Sequence, residues 1–181
     1  KPSSAASDVY KRQVFATALV CPHGGCGECD QCRSAAAGTH PDILWVSTTG
    51  VVLTVDEIRG AIHEAANMPT VARWRVVVVE DADRLNDAAA NALLKSVEEP
   101  PARTVFLLCA PSTDPSDIAI TLRSRCRHVY VPTPSPAAVK GVLLSDATLS
   151  LNETQAQWAA DVSAGHIGSC LLYTSDAADE G

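Results

Sequence analysis

Four cysteines lie within a dozen residues, at Cys21, Cys26, Cys29 and Cys32, with Gly24, Gly25 and Gly27 between them to permit tight turns. At that spacing four thiolates can close tetrahedrally on one zinc ion, and four sulfur ligands leave no open coordination position, so the metal would be structural rather than catalytic. The plain alternative is a loop of reduced, unliganded cysteines; the compactness of the cluster favours the metal. Glu28 and Asp30 between the sulfurs add negative charge, which argues against a nucleic-acid-binding finger. His23 and His40 are possible substitute ligands, although lone histidines near such loops are more often bystanders.

Two further constellations could carry chemistry. The apolar run Val76–Val79 ends in Glu80-Asp81. Carboxylates at the C-terminal end of a buried strand suit magnesium and a water-activating base at a nucleotide site. Taken alone this signal is weak, because acidic residues often follow strands. Farther on, Ser124-Arg125-Cys126 offers a fixed cation and a fork of donors to developing phosphate charge. This tripeptide is also unspecific by itself, since Arg123 and Arg127 lie beside it in a basic loop.

The elements that would position these groups alternate between helix and strand. Val14–Val20 reads as the last turns of a helix whose start is missing, and 33–37 as a short helix stopped by Gly38. Ile43–Val46 is an apolar strand. Thr54-Val55-Asp56-Glu57 has capping-box spacing and opens a helix with Ile58, Ala61, Ile62 and Ala65 on one face, ending near Asn67. The β-branched run 74–79 lacks alternation, as a strand buried on both faces does. Asn86 or Asp87 caps a helix with Ala90, Leu93, Leu94 and Val97 as its stripe, stopped by Pro100-Pro101. Strands are expected at 105–109 and 128–131. This order predicts an α/β layered architecture with a parallel sheet. A boundary is expected at Pro132-Thr133-Pro134, then helices over 136–144 and 152–164. Asp114-Pro115 reads as a turn, and Trp45 and Trp74 as packing residues.

The two ends read as foreign to the fold. Residues 170–180 back-translate to a DNA sequence whose reverse complement, in another frame, encodes 3–13, so one inverted sequence flanks the insert as a transposon-type sequencing adapter would. Residues 1–13 and 170–181 are therefore expected to be adapter-derived and are set aside in reading the fold. Without them the formal charge moves from −7 to −6. An acidic chain is a poor general binder of phosphate backbones, so any work on DNA would run through partners. No run is long and apolar enough to span a bilayer. Six of the seven cysteines fall in 14–169, in a distribution that suits a cytoplasmic metal site better than a disulfide framework.

Together these residues resemble the clamp-loader AAA+ family. The cysteine cluster, the link Gly38-Thr39-His40-Pro41-Asp42, the helix from Ala90 to Pro101 and Thr121-Leu122-Arg123-Ser124-Arg125-Cys126 match in order, across essentially all of Val14–Val131. The resemblance implies a three-layer, P-loop NTPase-like AAA+ domain over 14–131 with a zinc module inserted at 21–32, and the start of a helical lid domain over 132–169. It puts Cys21, Cys26, Cys29 and Cys32 on the family's zinc ligands and Arg125 on an arginine finger that acts in trans on ATP and Mg2+ held by the adjacent subunit. Glu80-Asp81 falls where ATP-hydrolysing subunits carry Asp-Glu, in reversed order. Ala110 falls near the position of a polar phosphate sensor, and Gly168 on that of a lid arginine. Three departures at three catalytic positions imply a subunit that does not itself hydrolyse ATP. Its implied partners are the other loader subunits and, through the assembly, the sliding clamp and primed DNA in replication. The parent holoenzyme is a DNA-directed DNA polymerase, a nucleotidyltransferase, but nothing in the chain resembles a polymerase active site. The family's Gly-rich phosphate loop would lie upstream of Val14. Two other readings are an ATP-hydrolysing loader subunit and a zinc-dependent nucleic-acid adaptor.

Overall fold

Four valines in succession, Val76–Val79, are fully buried, which requires apolar cover on both faces of their strand. The computed structural model, which describes residues 5–132, 134–145 and 151–163 and side chains from residue 12 onward, supplies it. Strand β2 (Arg75–Val79) lies at the centre of a three-stranded parallel sheet, between β1 (Ile43–Val46) and β3 (Thr104–Leu108). The register pairs Ile43 with Val76 and Val79 with Leu108. Val77 and Val79 face one apolar cluster with Leu53, Ile58, Ala65, Leu93 and Leu122. Val76 and Val78 face another with Ala16, Val20, Ala35 and Ile43. Helices therefore cover both faces, and the expected α/β three-layer architecture is present.

Local chemistry sets the helix ends. Helix α1 (Ala5–Val20) leads into the cysteine loop. It continues upstream of Val14 through Lys11, Arg12 and Gln13, residue types that favour helix, so Val14–Val20 forms its last turns as expected. Helix α2 (Asp30–Ala36) ends in a Schellman motif. The Gly38 N–H donates to Ala35 O at 3.0 Å and the Thr39 N–H to Ser34 O at 2.9 Å, with Gly38 at φ +69°. Helix α3 (Val55–Ala65) opens on the expected capping box, in which the Thr54 N–H donates to Glu57 Oε2 at 2.7 Å and the Glu57 N–H to Thr54 Oγ1 at 3.5 Å. Helix α4 (Asp87–Glu98) is capped by Asn86, whose Oδ1 accepts the Ala89 N–H at 2.8 Å. A one-turn helix, α5 (Ile120–Arg123), is anchored by fully buried Leu122.

One expected strand does not form. His128–Val131 has no ladder partner, and Val129, Tyr130 and Val131 are exposed. A strand needs a neighbour for its backbone groups, and among the described residues none lies beyond β3. A 3₁₀ turn at Ala82–Arg84 also follows β2 where the sequence offered no periodic signal.

These elements from Arg12 to Val129 form one compact unit. A second unit contains α6 (Pro136–Ser145) and α7 (Glu153–Val162). They pack through Val139 and Leu143 against Ala156, Ala159 and Ala160. A capping box between Asn152 and Gln155 starts α7, and Lys140 Nζ meets Glu153 Oε1 at 3.0 Å. Gly168 lies outside the described residues, as does the expected end of the last helix at residue 164.

Candidate functional site

The four cysteines converge. Cys21 follows the last turn of α1 and Cys32 sits inside α2, both buried; Cys29 caps α2 and Cys26 is exposed on the loop between. Positive φ at Gly24, Gly25 and Gly27 folds that loop back, and Gly25 lies so close to α1 that a Cβ there would stand 3.5 Å from Ala18 Cβ. All four Sγ atoms lie within 4.8 Å of one another. Individual separations are 3.8 Å (Cys21–Cys26), 3.7 Å (Cys21–Cys29) and 3.9 Å (Cys26–Cys32). These are far too long for disulfides. A tetrahedron built on Zn–S bonds of about 2.3 Å has edges of about 3.8 Å. The donor set and its dimensions fit one tetrahedral metal ion.

Electrostatics of the loop agree with that fit. Backbone N–H groups, that of Cys26 foremost, hold the Cys21 thiol down at about 5 against an opposing desolvation. The His23 N–H donates to Cys21 Sγ at 3.3 Å. Cys26 is likewise lowered, chiefly by the N–H groups of Glu28 and Cys29. Burial pushes Cys32 up to about 12, with neighbouring sulfurs adding to the rise. Two thiolate-favouring positions beside one that resists ionisation make an arrangement that a cation would resolve. His40, considered above as a substitute ligand, is fully engaged elsewhere. Its Nδ1 accepts the Asp42 N–H at 3.0 Å and its Nε2 faces Gln31 Oε1 at 2.6 Å, while burial lowers its pKa.

Asp42 was named in the sequence only as part of a link, yet it organises the N-terminal end of the sheet. Its fully buried carboxylate accepts the N–H groups of Thr70, Val71 and Ala72 at 2.6, 2.8 and 2.8 Å, and meets Arg75 Nη2 at 3.3 Å. Burial alone would raise its pKa; these donors more than offset it and hold the carboxyl below the usual range. An arginine heading an apolar run was the available signal.

Glu80 and Asp81 do emerge at the C-terminal end of the central strand. The Glu80 N–H donates to Val46 O and the Ala82 N–H to Cys109 O, both at 2.8 Å, so the pair sits at the sheet's carboxyl edge. Asp81 takes a left-handed conformation, φ +51°. Burial raises the Glu80 pKa, with Asp81 adding to it and Arg12 opposing; Arg12 Nε lies 2.7 Å from Glu80 Oε1. Ala110 follows Cys109 at the same edge and offers no polar side chain.

Arg125 stands apart from that acidic edge, on the turn after α5. No hydrogen bond or ion pair joins it to Glu80 or Asp81 among the described residues. Its Nε meets Glu98 Oε1, at the end of α4, at 2.8 Å, and its Nη1 donates to Thr121 O at 2.9 Å. About a third of the side chain (35%) remains exposed. The neighbouring Arg123 is committed differently, its Nη1 donating to Thr113 O at 2.8 Å. The guanidinium that sequence order singled out is thus held at two points and still open to solvent. The supporting Glu98 was not foreseen, because contacts between two helix ends leave no periodic trace.

Comparison with known proteins adds the lineage. A family model described as DNA polymerase III, delta subunit, matches residues 5–135. DNA polymerase III subunit delta′ of Escherichia coli is 40% identical over 158 residues, covering 85% of this chain and 46% of the relative. Its counterpart in Pseudomonas aeruginosa is 39% identical over 130 residues, covering 68% and 39%. The tau/gamma subunit of Haemophilus influenzae is 33% identical over 123 residues, covering 66% and 17%. Among solved structures, a gamma subunit-related protein of DNA polymerase III from Thermotoga maritima superposes with a TM-score of 0.51 at 25% identity, covering 73% of this chain and 47% of that one. The chain spans less than half the length of each of these relatives. With a family match over more than half its residues, and with the layered sheet that such a match requires, the chain belongs to the delta′ family of DNA polymerase III subunits, among the clamp-loader AAA+ proteins.

Proposed function

We propose that this chain is part of a non-hydrolysing delta′-type subunit that supports ATP-dependent loading of the sliding clamp onto primed DNA in the bacterial cytoplasm. It donates Arg125 to ATP and Mg2+ bound by a neighbouring gamma/tau-type subunit, with the delta subunit completing the loader. The cysteine cluster holds a structural zinc ion that fixes the loop between α1 and α2; the four thiolates supply all its ligands. The observation that carries the reading is Arg125 itself, solvent-open, doubly anchored and unconnected to the chain's own acidic strand end. A phosphoryl group in transfer spreads charge over its oxygens, and a fixed guanidinium from outside the site stabilises it. The reversed Glu80-Asp81 supports the non-hydrolysing part of the proposal. It shifts a carboxylate by a methylene at a position where placement of the attacking water is most of the catalysis.

Arg125→Ala in the full-length subunit, assembled with its partners, tests this directly. Assembly is expected to be intact and the neighbour's DNA-stimulated ATP turnover to fall, by up to about 10³-fold at the affected site. Turnover equal to wild type removes the proposed role. A second reading, an ATP-hydrolysing gamma/tau-type subunit, draws on the 33% identity to tau/gamma. It requires ATP turnover by the purified full-length subunit alone.

A further inference from the structure

The side chain that fixes Arg125 breaks a local rule. Glu98 is the last residue of α4, where the partial negative charge of the helix end disfavours a carboxylate, and Glu99 follows it. Violations of this kind gather where function demands them. Here the carboxylate has a specific use: Glu98 Oε1 forms an ion pair with Arg125, 2.8 Å from Nε, while the Nη1 N–H donates to Thr121 O at 2.9 Å. Together they tether the guanidinium to its own chain at two points. Among the described residues Nη2 makes no hydrogen bond, which leaves it open to an external acceptor.

The platform beneath is rigid. Leu93 of α4 and Leu122 of α5 are both buried to within 1% in the same apolar cluster, which fixes the two helix ends against each other. The ion pair adds little to folding stability, since the Glu98 side chain is 52% exposed. Its effect is therefore on where the arginine points.

We propose that Glu98 is a positioning residue for Arg125, holding the guanidinium so that its Nη2 side is presented to a phosphate on a neighbouring subunit. This rests on the proposed trans role of Arg125. Without the carboxylate the arginine is tethered only at Thr121 O and samples other rotamers, and misplacement of about an ångström at a reacting group is costly.

The test uses the full-length subunit in the assembled loader, with ATP turnover measured at saturating clamp and primed DNA. Glu98→Ala is expected to lower kcat about tenfold with KM for ATP unchanged, because the neighbour binds the nucleotide. Glu98→Gln keeps an oxygen of the same reach beside Nε and is expected to recover to within about twofold of wild type. Glu98→Ala combined with Arg125→Ala is expected to be no slower than Arg125→Ala alone, since the two act as a unit. Wild-type turnover in Glu98→Ala, with Arg125→Ala impaired, overturns the positioning role and leaves the finger standing. Faster turnover in Glu98→Ala also overturns it, showing that the carboxylate stows the arginine instead. Additive losses in the double variant, or a Glu98→Gln as impaired as Glu98→Ala, do the same. If Arg125→Ala itself turns over normally, the finger reading fails, and the positioning role with it.

Discussion

Arg75 and Arg125 carry the same side chain to opposite ends. Arg75 is 6% exposed and pairs with fully buried Asp42, whose other oxygen contacts hold the Thr70–Ala72 backbone. Removing one partner of such a buried pair strands the other's charge and three N–H groups. Asp42→Ala is accordingly expected to destabilise the chain by about 3–5 kcal/mol in urea titration. The pH dependence follows from the direction of its pKa. The folded value lies below the ordinary 3.8, so the stabilisation is complete above 3.8 and is lost as pH falls through the folded value. Asp42→Asn should flatten that acid limb of the stability curve, measured as the urea midpoint between neutral pH and pH 3. An acid limb of unchanged slope would assign the dependence to another carboxylate, such as the lowered Glu57.

Elements owe their boundaries to a few polar contacts, and these can be weighed singly. Asn86→Ala removes the cap on α4 and is expected to cost about 1 kcal/mol. Gly38→Ala puts a Cβ on a left-handed residue at the end of α2 and should cost about 1 kcal/mol or somewhat more. The loop between α1 and α2 has little apolar filling of its own. Elemental analysis is expected to find one zinc per chain, and a strong chelator to lower the thermal midpoint; a metal-free chain that melts at the same temperature would refute the zinc proposal. Helices with caps and stripes were legible in the sequence, as at Thr54 and Asn86, because the signals are local. The buried run 75–79 was legible because a strand covered on both faces is apolar throughout. The strand at 128–131 was expected on propensity alone, and propensity cannot show that a neighbour is lacking. In the same way four close-set cysteines announced their site, whereas Glu98 and Asp42 meet partners 27 and 33 residues away, at Arg125 and Arg75, and only the folded chain shows why they matter.

At the scale of the whole molecule the charge balance is informative. A formal charge of −7 gives little attraction to a polyanion. Fluorescence anisotropy with duplex DNA at physiological salt is expected to show no binding by the isolated chain; steep, salt-sensitive binding would instead favour the nucleic-acid adaptor reading. No helix among the described residues is long and apolar enough to cross a membrane. Among the described residues the sheet has three strands, and the outer side of β3 pairs with none of them. Val105, Phe106, Leu107 and Leu108 on it are only partly buried. A bare parallel edge with apolar side chains is a template for any other extended polypeptide. On its own at high concentration, the chain should cloud and sediment, and a lysine introduced along that rim should keep it clear.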